Sequence, residues 1–314
     1  MSPNHEELCL ISGTANRPLA KKISQYVGRP LTVASVERFS DGEIYVHIEE
    51  NIRGVDVFII QPTPAPGDNL LELLILIDAC KRASAQRVTA VIPYLGYARQ
   101  DRKDRPRVPI TAKLVANLIV SAGTDRGLTM DLHAPQIQGF FDIPFDHLFA
   151  APILFEHVKS LRLDHPVVVA PDVGSVKMAR AFAKRMQTDL AIVDKRRAAP
   201  NVSETMNLIG DVKGRDVIII DDLIDTGGTL VNSAELCLLR GARSARAVAT
   251  HAVLSGDAQQ RLASEALQSV AFTNTLQRDP ETLLKKCEIL DVAPLLGEAI
   301  RRIHNAESVS SLFI

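Results

Sequence analysis

Short runs of β-branched and other apolar residues recur along the chain. They read VDVFIIQ from Val55, VTAVIPY from Val88, LTMDLH from Leu128, PVVVAPD from Pro166, LAIVDK from Leu190, RDVIIIDD from Arg215 and RAVATHAVL from Arg246. Between them lie the amphipathic stretches Leu70–Ser84, Thr111–Ser121, Val176–Met186 and Thr229–Leu239, with apolar positions at helical spacing. A continuously apolar strand is buried on both faces, and strands alternating with helices imply parallel sheets. The pattern predicts an α/β architecture.

The pattern also repeats. RGVDVFIIQ (Arg53–Gln61) resembles KGRDVIIID (Lys213–Asp221), with Val57 and Val217 separated by 160 positions. LCLISGTANRPLAKKI echoes VVVAPDVGSVKMARAF, where Gly13 and Gly174 are 161 apart. Two matches at nearly one offset imply a duplicated α/β domain. The expected division is residues 1–150, residues 151–300 and a C-terminal tail, 301–314, that returns to the N-terminal half. The copies differ in their acids: Gln61-Pro62 stands where the second copy has Asp221-Asp222, and the first copy has no counterpart of Asp172. Strand packing alone therefore does not require these acids.

Composition narrows the function. Lys and Arg total 36 against 37 Asp and Glu, so no global field draws nucleic acid or an acidic membrane, and any anion site is local. Trp is absent and aromatics are 4% of the chain, which leaves few stacking platforms for single strands. Cys9, Cys80, Cys237 and Cys287 form no CxxC pair and read as reduced, buried thiols. The N-terminus lacks the pattern of a signal peptide, and LLELLILIDAC is too short and acidic to span a bilayer. These readings predict a cytoplasmic protein that binds neither membrane nor nucleic acid.

Candidate chemistry concentrates in VIIIDDLIDTGGTL (Val217–Leu230). Acids at the carboxyl end of a parallel strand lie where open α/β sheets bind ligands. Glycines in the following loop admit a phosphate to the backbone, and the helix start adds a favourable dipole. The acids themselves suit sugar hydroxyls or Mg²⁺. Taken alone, the loop also fits an acidic turn capping a helix through Asp225. RFSDGEIYV (Arg38–Val46) reads as a β-hairpin turning at Asp41-Gly42, which leaves Phe39 without a structural reason. From Arg99 to Arg107 the chain carries five basic and two acidic residues, as a solvated loop would. His133 and Asp172 each follow a strand, and DKRRAAPN offers a basic turn.

IIIDDLIDTGGT resembles the phosphoribosyl diphosphate (PRPP) signature of type I phosphoribosyltransferases and PRPP synthetases. RFSDGE, YARQDRK, MDLHAPQIQGFFDIP, DKRR and SVSSLF extend the resemblance to class I PRPP synthetases, the ribose-phosphate pyrophosphokinases, over essentially the whole chain. The resemblance implies two tandem phosphoribosyltransferase-like domains, each a mostly parallel sheet flanked by helices. It implies transfer of the β,γ-diphosphoryl group of MgATP to the anomeric hydroxyl of ribose 5-phosphate, giving PRPP and AMP. Asp225, Thr226, Gly227, Gly228 and Thr229 are then expected to hold the 5-phosphate, and Asp221 and Asp222 to meet the ribose. Phe39, Asp41, Glu43, Arg99 and Gln100 are expected at ATP, and His133 and Asp172 at its Mg²⁺, with or without a second ion. Lys195 and Arg197 are expected to close over the transferring group, with Asp221 a candidate base. Arg53, Ser84, Arg107, Ser308 and Ser310 match a phosphate/ADP regulatory site, with phosphate an activator, ADP an inhibitor, and a homohexamer built from dimers as the assembly.

The chain departs from the family in two places. Asp172-Val173-Gly174-Ser175 stands where the family usually reads Asp-x-Gly-Gly. Serine needs more room and disfavours positive φ, and its hydroxyl offers a donor to a phosphate instead. Ser311 stands where an aromatic residue is common. The rival readings are a non-catalytic PRPP-synthetase-associated subunit and a phosphoribosyltransferase. Lys195, Arg197, His133 and the three acids speak for catalysis, and the duplicated domain with FSDGE argues against a transferase.

Overall fold

One order of elements occurs twice along the chain. The computed structural model describes residues 7–196 and 205–313. The first copy contains β1 (Leu8–Ser12), α1 (Arg17–Val27), β2 (Ala34–Arg38), β3 (Ile44–Ile48) and β4 (Asp56–Ile60). It continues with α2 (Asp68–Arg82), β5 (Arg87–Ile92), α3 (Thr111–Ser121), β6 (Arg126–Met130) and β7 (Phe145–Leu148). After α4 (Ala151–Ser160), the second copy runs β8 (Pro166–Ala170), α5 (Val176–Met186), β9 (Asp189–Arg196), β10 (Thr205–Ile209) and β11 (Asp216–Ile224). Then come α6 (Gly228–Leu239), β12 (Ser244–Ala252), α7 (Ala258–Leu262), β13 (Ser269–Thr273), β14 (Cys287–Leu290) and α8 (Ala293–His304).

The first unit is built on a parallel sheet ordered β1-β4-β5-β6-β7, with β2 and β3 as a separate antiparallel pair. It reaches Phe149 and takes in Thr275–Gln277 and the chain from Val292 onward. The second unit comprises Ala150–Asn274 and Arg278–Asp291. Its sheet is ordered β10-β9-β8-β11-β12-β13-β14, in which β10 alone runs antiparallel. Each unit is thus an α/β fold in which β1-β4-β5-β6-β7 is matched in order by β8-β11-β12-β13-β14, with one antiparallel strand pair after the first helix.

Burial explains why the strands read as unbroken apolar runs. Every residue of β4 is buried; Val57 and Ile59 join a cluster with Leu73, Leu76 and Ile77 of α2 and Val115 and Ile119 of α3, while Phe58 alternates to the other face. In the second unit Val217 and Ile219 of β11 share a core with Leu230 and Ala234 of α6. Helices α3 and α5 keep the bounds read from the sequence, because their apolar stripes run from end to end. The strand offset of 160 also holds, since Val57 and Val217 each occupy the second position of their strands. The glycine match does not. Gly13 lies three residues before the helix cap Asn16, whereas Gly174 directly precedes the cap Ser175, so the two are not equivalent.

Candidate active site

Strand lengths create the crevice in the second unit. β8 pairs with β11 only as far as Val169 opposite Ile219, but β11 continues to Ile224 alongside β12. Asp221 and Asp222 therefore sit inside the strand rather than after it, beside the place where the neighbouring chain has turned into the loop 171–175. Asp221 is buried and Asp222 half-buried. Oδ1 of Asp221 accepts from the Ser175 hydroxyl at 2.8 Å and from the Asp222 backbone N–H at 3.0 Å. Oδ1 of Asp172 accepts from the Ser175 N–H at 3.0 Å and lies 3.1 Å from the same hydroxyl. Burial pushes the Asp221 carboxyl well above the ordinary carboxylate range, Asp222 adds to that through its charge and hydrogen bond, and Ser175 opposes it.

The loop Asp225–Gly227 follows β11 and leads into α6. Gly227 caps the helix with φ of 76°, a left-handed conformation that suits glycine, and a Cβ there would stand 3.2 Å from Leu262. The N-cap position itself is Gly227, two residues after Asp225. Oδ1 of Asp225 accepts from the hydroxyl of Ser255, whose backbone N–H donates to the Asp225 carbonyl at 3.0 Å. Ser255 escaped the sequence reading; the turn Ser255-Gly256-Asp257 just past a parallel strand was the available signal. The loop carries Thr226 exposed and Gly228 and Thr229 half-buried at the start of a 12-residue helix, where N–H groups lack intrahelical acceptors.

Ser175 has φ of −82°, so the serine fits without left-handed strain. Its hydroxyl faces the two acids, donating to Asp221 and lying beside Asp172. Lys195 lies on β9 opposite Met206 of β10, and Arg197 falls outside the described residues. Beside the acidic loop lies an open groove of about 580 Å³, lined among others by Val173, Lys177, Arg180, Ile192 and Ile209; it includes neither Asp221 nor the Asp225–Thr229 loop.

The first unit carries the remaining candidates. Phe39 is 54% exposed on the turn between β2 and β3, with its ring 5.3 Å from that of Tyr45. Arg38 fixes this turn by donating to the Gly42 carbonyl at 2.9 Å and pairing with Asp68 at 3.0 Å. Asp41 accepts from the Glu43 N–H at 3.1 Å, and both side chains are exposed. Arg99 and Gln100 are exposed ahead of α3, where Thr111 donates to Gln100 at 2.6 Å. His133 is exposed after β6. Arg53 donates to the Ser84 hydroxyl at 3.2 Å, Arg107 stands at φ of 65°, and the Ser308 carbonyl accepts from Arg302 of α8 at 3.1 Å. Ser310 donates its N–H to the Ser308 hydroxyl at 3.2 Å, so two of the serines share one turn.

Where the second unit opens a crevice, the first is filled. Gln61 replaces Asp221 and is fully buried. Its Oε1 accepts from the Ala15 N–H at 3.1 Å, and its Nε2 donates to Glu72 of α2 at 3.0 Å. Both oxygens of Glu72 accept from Thr14, one from its N–H and one from its hydroxyl, each at 2.6 Å. A Cβ on Gly13 would come 2.2 Å from Gln61 and 2.7 Å from Glu72, so any larger residue there would displace this buried pair.

Asp172, Asp221 and Asp222 supply the oxygen donors that Mg²⁺ prefers. Among the described residues no three His, Cys, Asp or Glu side chains close into a metal cage. That donor set fits an ion held largely by substrate phosphates and water. No helix among the described residues is long and apolar enough to cross a membrane.

Two α/β units of one strand order, the second carrying an acid pair ahead of a glycine-containing helix start, define a duplicated α/β protein with its candidate site in the second unit. The family pattern for the N-terminal domain of ribose phosphate pyrophosphokinase matches residues 8–123, and that for a phosphoribosyl synthetase-associated domain matches residues 194–314. The ribose-phosphate pyrophosphokinase of Chlorobaculum tepidum is 56% identical over 97% of this chain and 94% of its own. That of Maricaulis maris is 56% identical over 97% and 99%. The crystal structure of phosphoribosylpyrophosphate synthetase from Mycobacterium smegmatis superposes with a TM-score of 0.91 at 40% identity, covering 96% of this chain and all of that one. The chain belongs to the ribose-phosphate pyrophosphokinase family.

Proposed function

We propose that the chain transfers the β,γ-diphosphoryl group of MgATP to the anomeric hydroxyl of ribose 5-phosphate, producing PRPP and AMP for nucleotide biosynthesis. The observation that carries this reading is the acid pair of β11, Asp221 buried and Asp222 half-buried, set ahead of the glycine-containing start of α6. One feature suits a sugar and the other a phosphate, and ribose 5-phosphate has both.

In this reading the N–H groups and hydroxyls of Asp225–Thr229 hold the 5-phosphate, with Ser255 fixing the first residue of that loop. Asp221 and Asp222 orient the ribose hydroxyls, and Asp221 receives the proton of the anomeric hydroxyl as that oxygen attacks the β-phosphorus of ATP. The bond between the α-phosphate and the β-phosphorus breaks, and AMP departs. Little covalent chemistry falls to the protein, so positioning and charge neutralisation carry the rate. Lys195 and Arg197 offset charge on the transferring group. Phe39, Asp41 and Glu43 recognise adenine, and Arg99 and Gln100 the nucleotide's phosphates. His133 and Asp172 are the residues that would hold Mg²⁺, which would supply neutralisation of phosphate charge. Arg53, Ser84, Arg107, Ser308 and Ser310 form the effector site for phosphate and ADP, on a cytoplasmic homohexamer.

One assay tests the reading: purified protein with MgATP and ribose 5-phosphate, with and without added inorganic phosphate. AMP and PRPP in equal amounts are expected, with a rate that rises with phosphate. Absence of AMP sinks the reaction, and a rate indifferent to phosphate sinks the effector site.

A further inference from the structure

Ser175 occupies the N-cap position of α5 yet makes no cap hydrogen bond with its side chain. A serine at this position ordinarily accepts from a backbone N–H in the first turn. Here its hydroxyl points away from the helix, donating to Asp221 at 2.8 Å and lying 3.1 Å from Asp172. Both Ser175 and Asp221 are 8% exposed, so water does not compete freely for either group. One hydroxyl thus joins a loop that follows β8 to an acid on β11, the neighbouring strand. A glycine, the residue usual for the family at this place, could make the backbone contact to Asp172 but not the link to Asp221.

We infer that Ser175 is a positioning residue of this chain, using its hydroxyl to hold Asp221 in the orientation that meets the ribose. The inference rests on the reading of Asp221 as the ribose-facing acid. A carboxyl group has two oxygens and a rotatable χ2. Anchoring Oδ1 by Ser175 and by the Asp222 N–H fixes the rotation of that carboxyl. Ser175 touches no reacting atom, so its effect passes through Asp221 and falls on turnover more than on ATP binding.

The test is a double-mutant cycle read by kcat, by KM for each substrate and by melting temperature. Ser175→Ala is expected to lower kcat about tenfold, equivalent to one lost orienting interaction, while KM for ATP moves less than about twofold. Ser175→Gly, which also lacks the hydroxyl, is expected to show the same loss, and Ser175→Thr to recover most of the rate. The melting temperature of Ser175→Ala should stay near that of the unmodified chain, since no cap is removed. In the background of Asp221→Asn, Ser175→Ala should add little further loss. Full activity in Ser175→Ala or Ser175→Gly overturns the inference, as do losses that multiply in the double variant. Full activity in Asp221→Asn overturns the reading of Asp221 itself, and the inference falls with it.

Discussion

At Gly227 a left-handed backbone and a tight neighbour coincide. Replacing it by alanine asks an L residue to hold φ of 76° while Leu262 gives way by a few tenths of an ångström. The expected effect is a loss of about 1–3 kcal/mol in unfolding free energy, read by urea titration, together with a higher KM for ribose 5-phosphate. An unchanged KM would separate this turn from the phosphate. Glu72 shows what sequence could not supply at this scale. Its identity is visible, but its partner Thr14 lies 58 positions away, and only the fold brings the two together. The reverse holds for Asp221: its place beside a glycine-containing loop is legible locally, while its hydroxyl partner, 46 positions distant, is not. Phe39 was legible as an oddity, because a hairpin gives no reason for an aromatic ring at its exposed turn.

Among elements, β11 bears the acids, and its first residue anchors it. Asp216 accepts from Arg243 at 3.1 Å through Nε, from Ser244 at 2.5 Å and from the Asp164 N–H at 3.1 Å. The Arg243 hydrogen bond leads in pulling its carboxyl down to about 2, against the opposing effect of burial. A folded-state value below the unfolded one stabilises the chain above the unfolded pKa, and that contribution disappears as pH falls from about 4 toward 2. Because Arg243 is half-exposed, solvent screening trims the effect to roughly 1–2 kcal/mol. Asp216→Asn should therefore be less stable than the unmodified chain at pH 7, with the gap closing below pH 4 in urea titrations. A gap constant with pH would remove the ion pair as its cause. Elements with long uninterrupted stripes, such as α3 and α5, were readable to the residue. The four-residue strands β7 and β14 were not, since runs so short carry no period of their own and are defined by the neighbours they pair with.

For the whole molecule, the repeat in sequence foretold the repeat in architecture, with the hairpin of the first copy legible at Asp41-Gly42 and the β9–β10 pair of the second not. From the sequence only residues 301–314 return to the first half, whereas the first unit takes in the chain from Val292, α8 included. This helix follows the second copy in sequence yet packs on α1 of the first unit, burying Leu296, Ile300 and Ile303. His304 at its end contacts Asp56 at 2.8 Å, and Arg87 donates to both Asp56 and the Ile303 carbonyl. Removing residues after Asp291 uncovers three large apolar side chains' worth of contact, about 1.5–3 kcal/mol each, a large share of a domain's stability. In hydrogen exchange, amides of α1 and β1 should lose protection while those of β8 and β11 keep it. Retained protection in α1 would show that the first unit stands without this helix. The same interleaving sets a schedule for synthesis. As the chain leaves the ribosome, the unit begun second is the first whose parts have all emerged, whereas the unit begun first waits for the final helix. Any factor that shields nascent chains must therefore serve the leading half for longer than the trailing one.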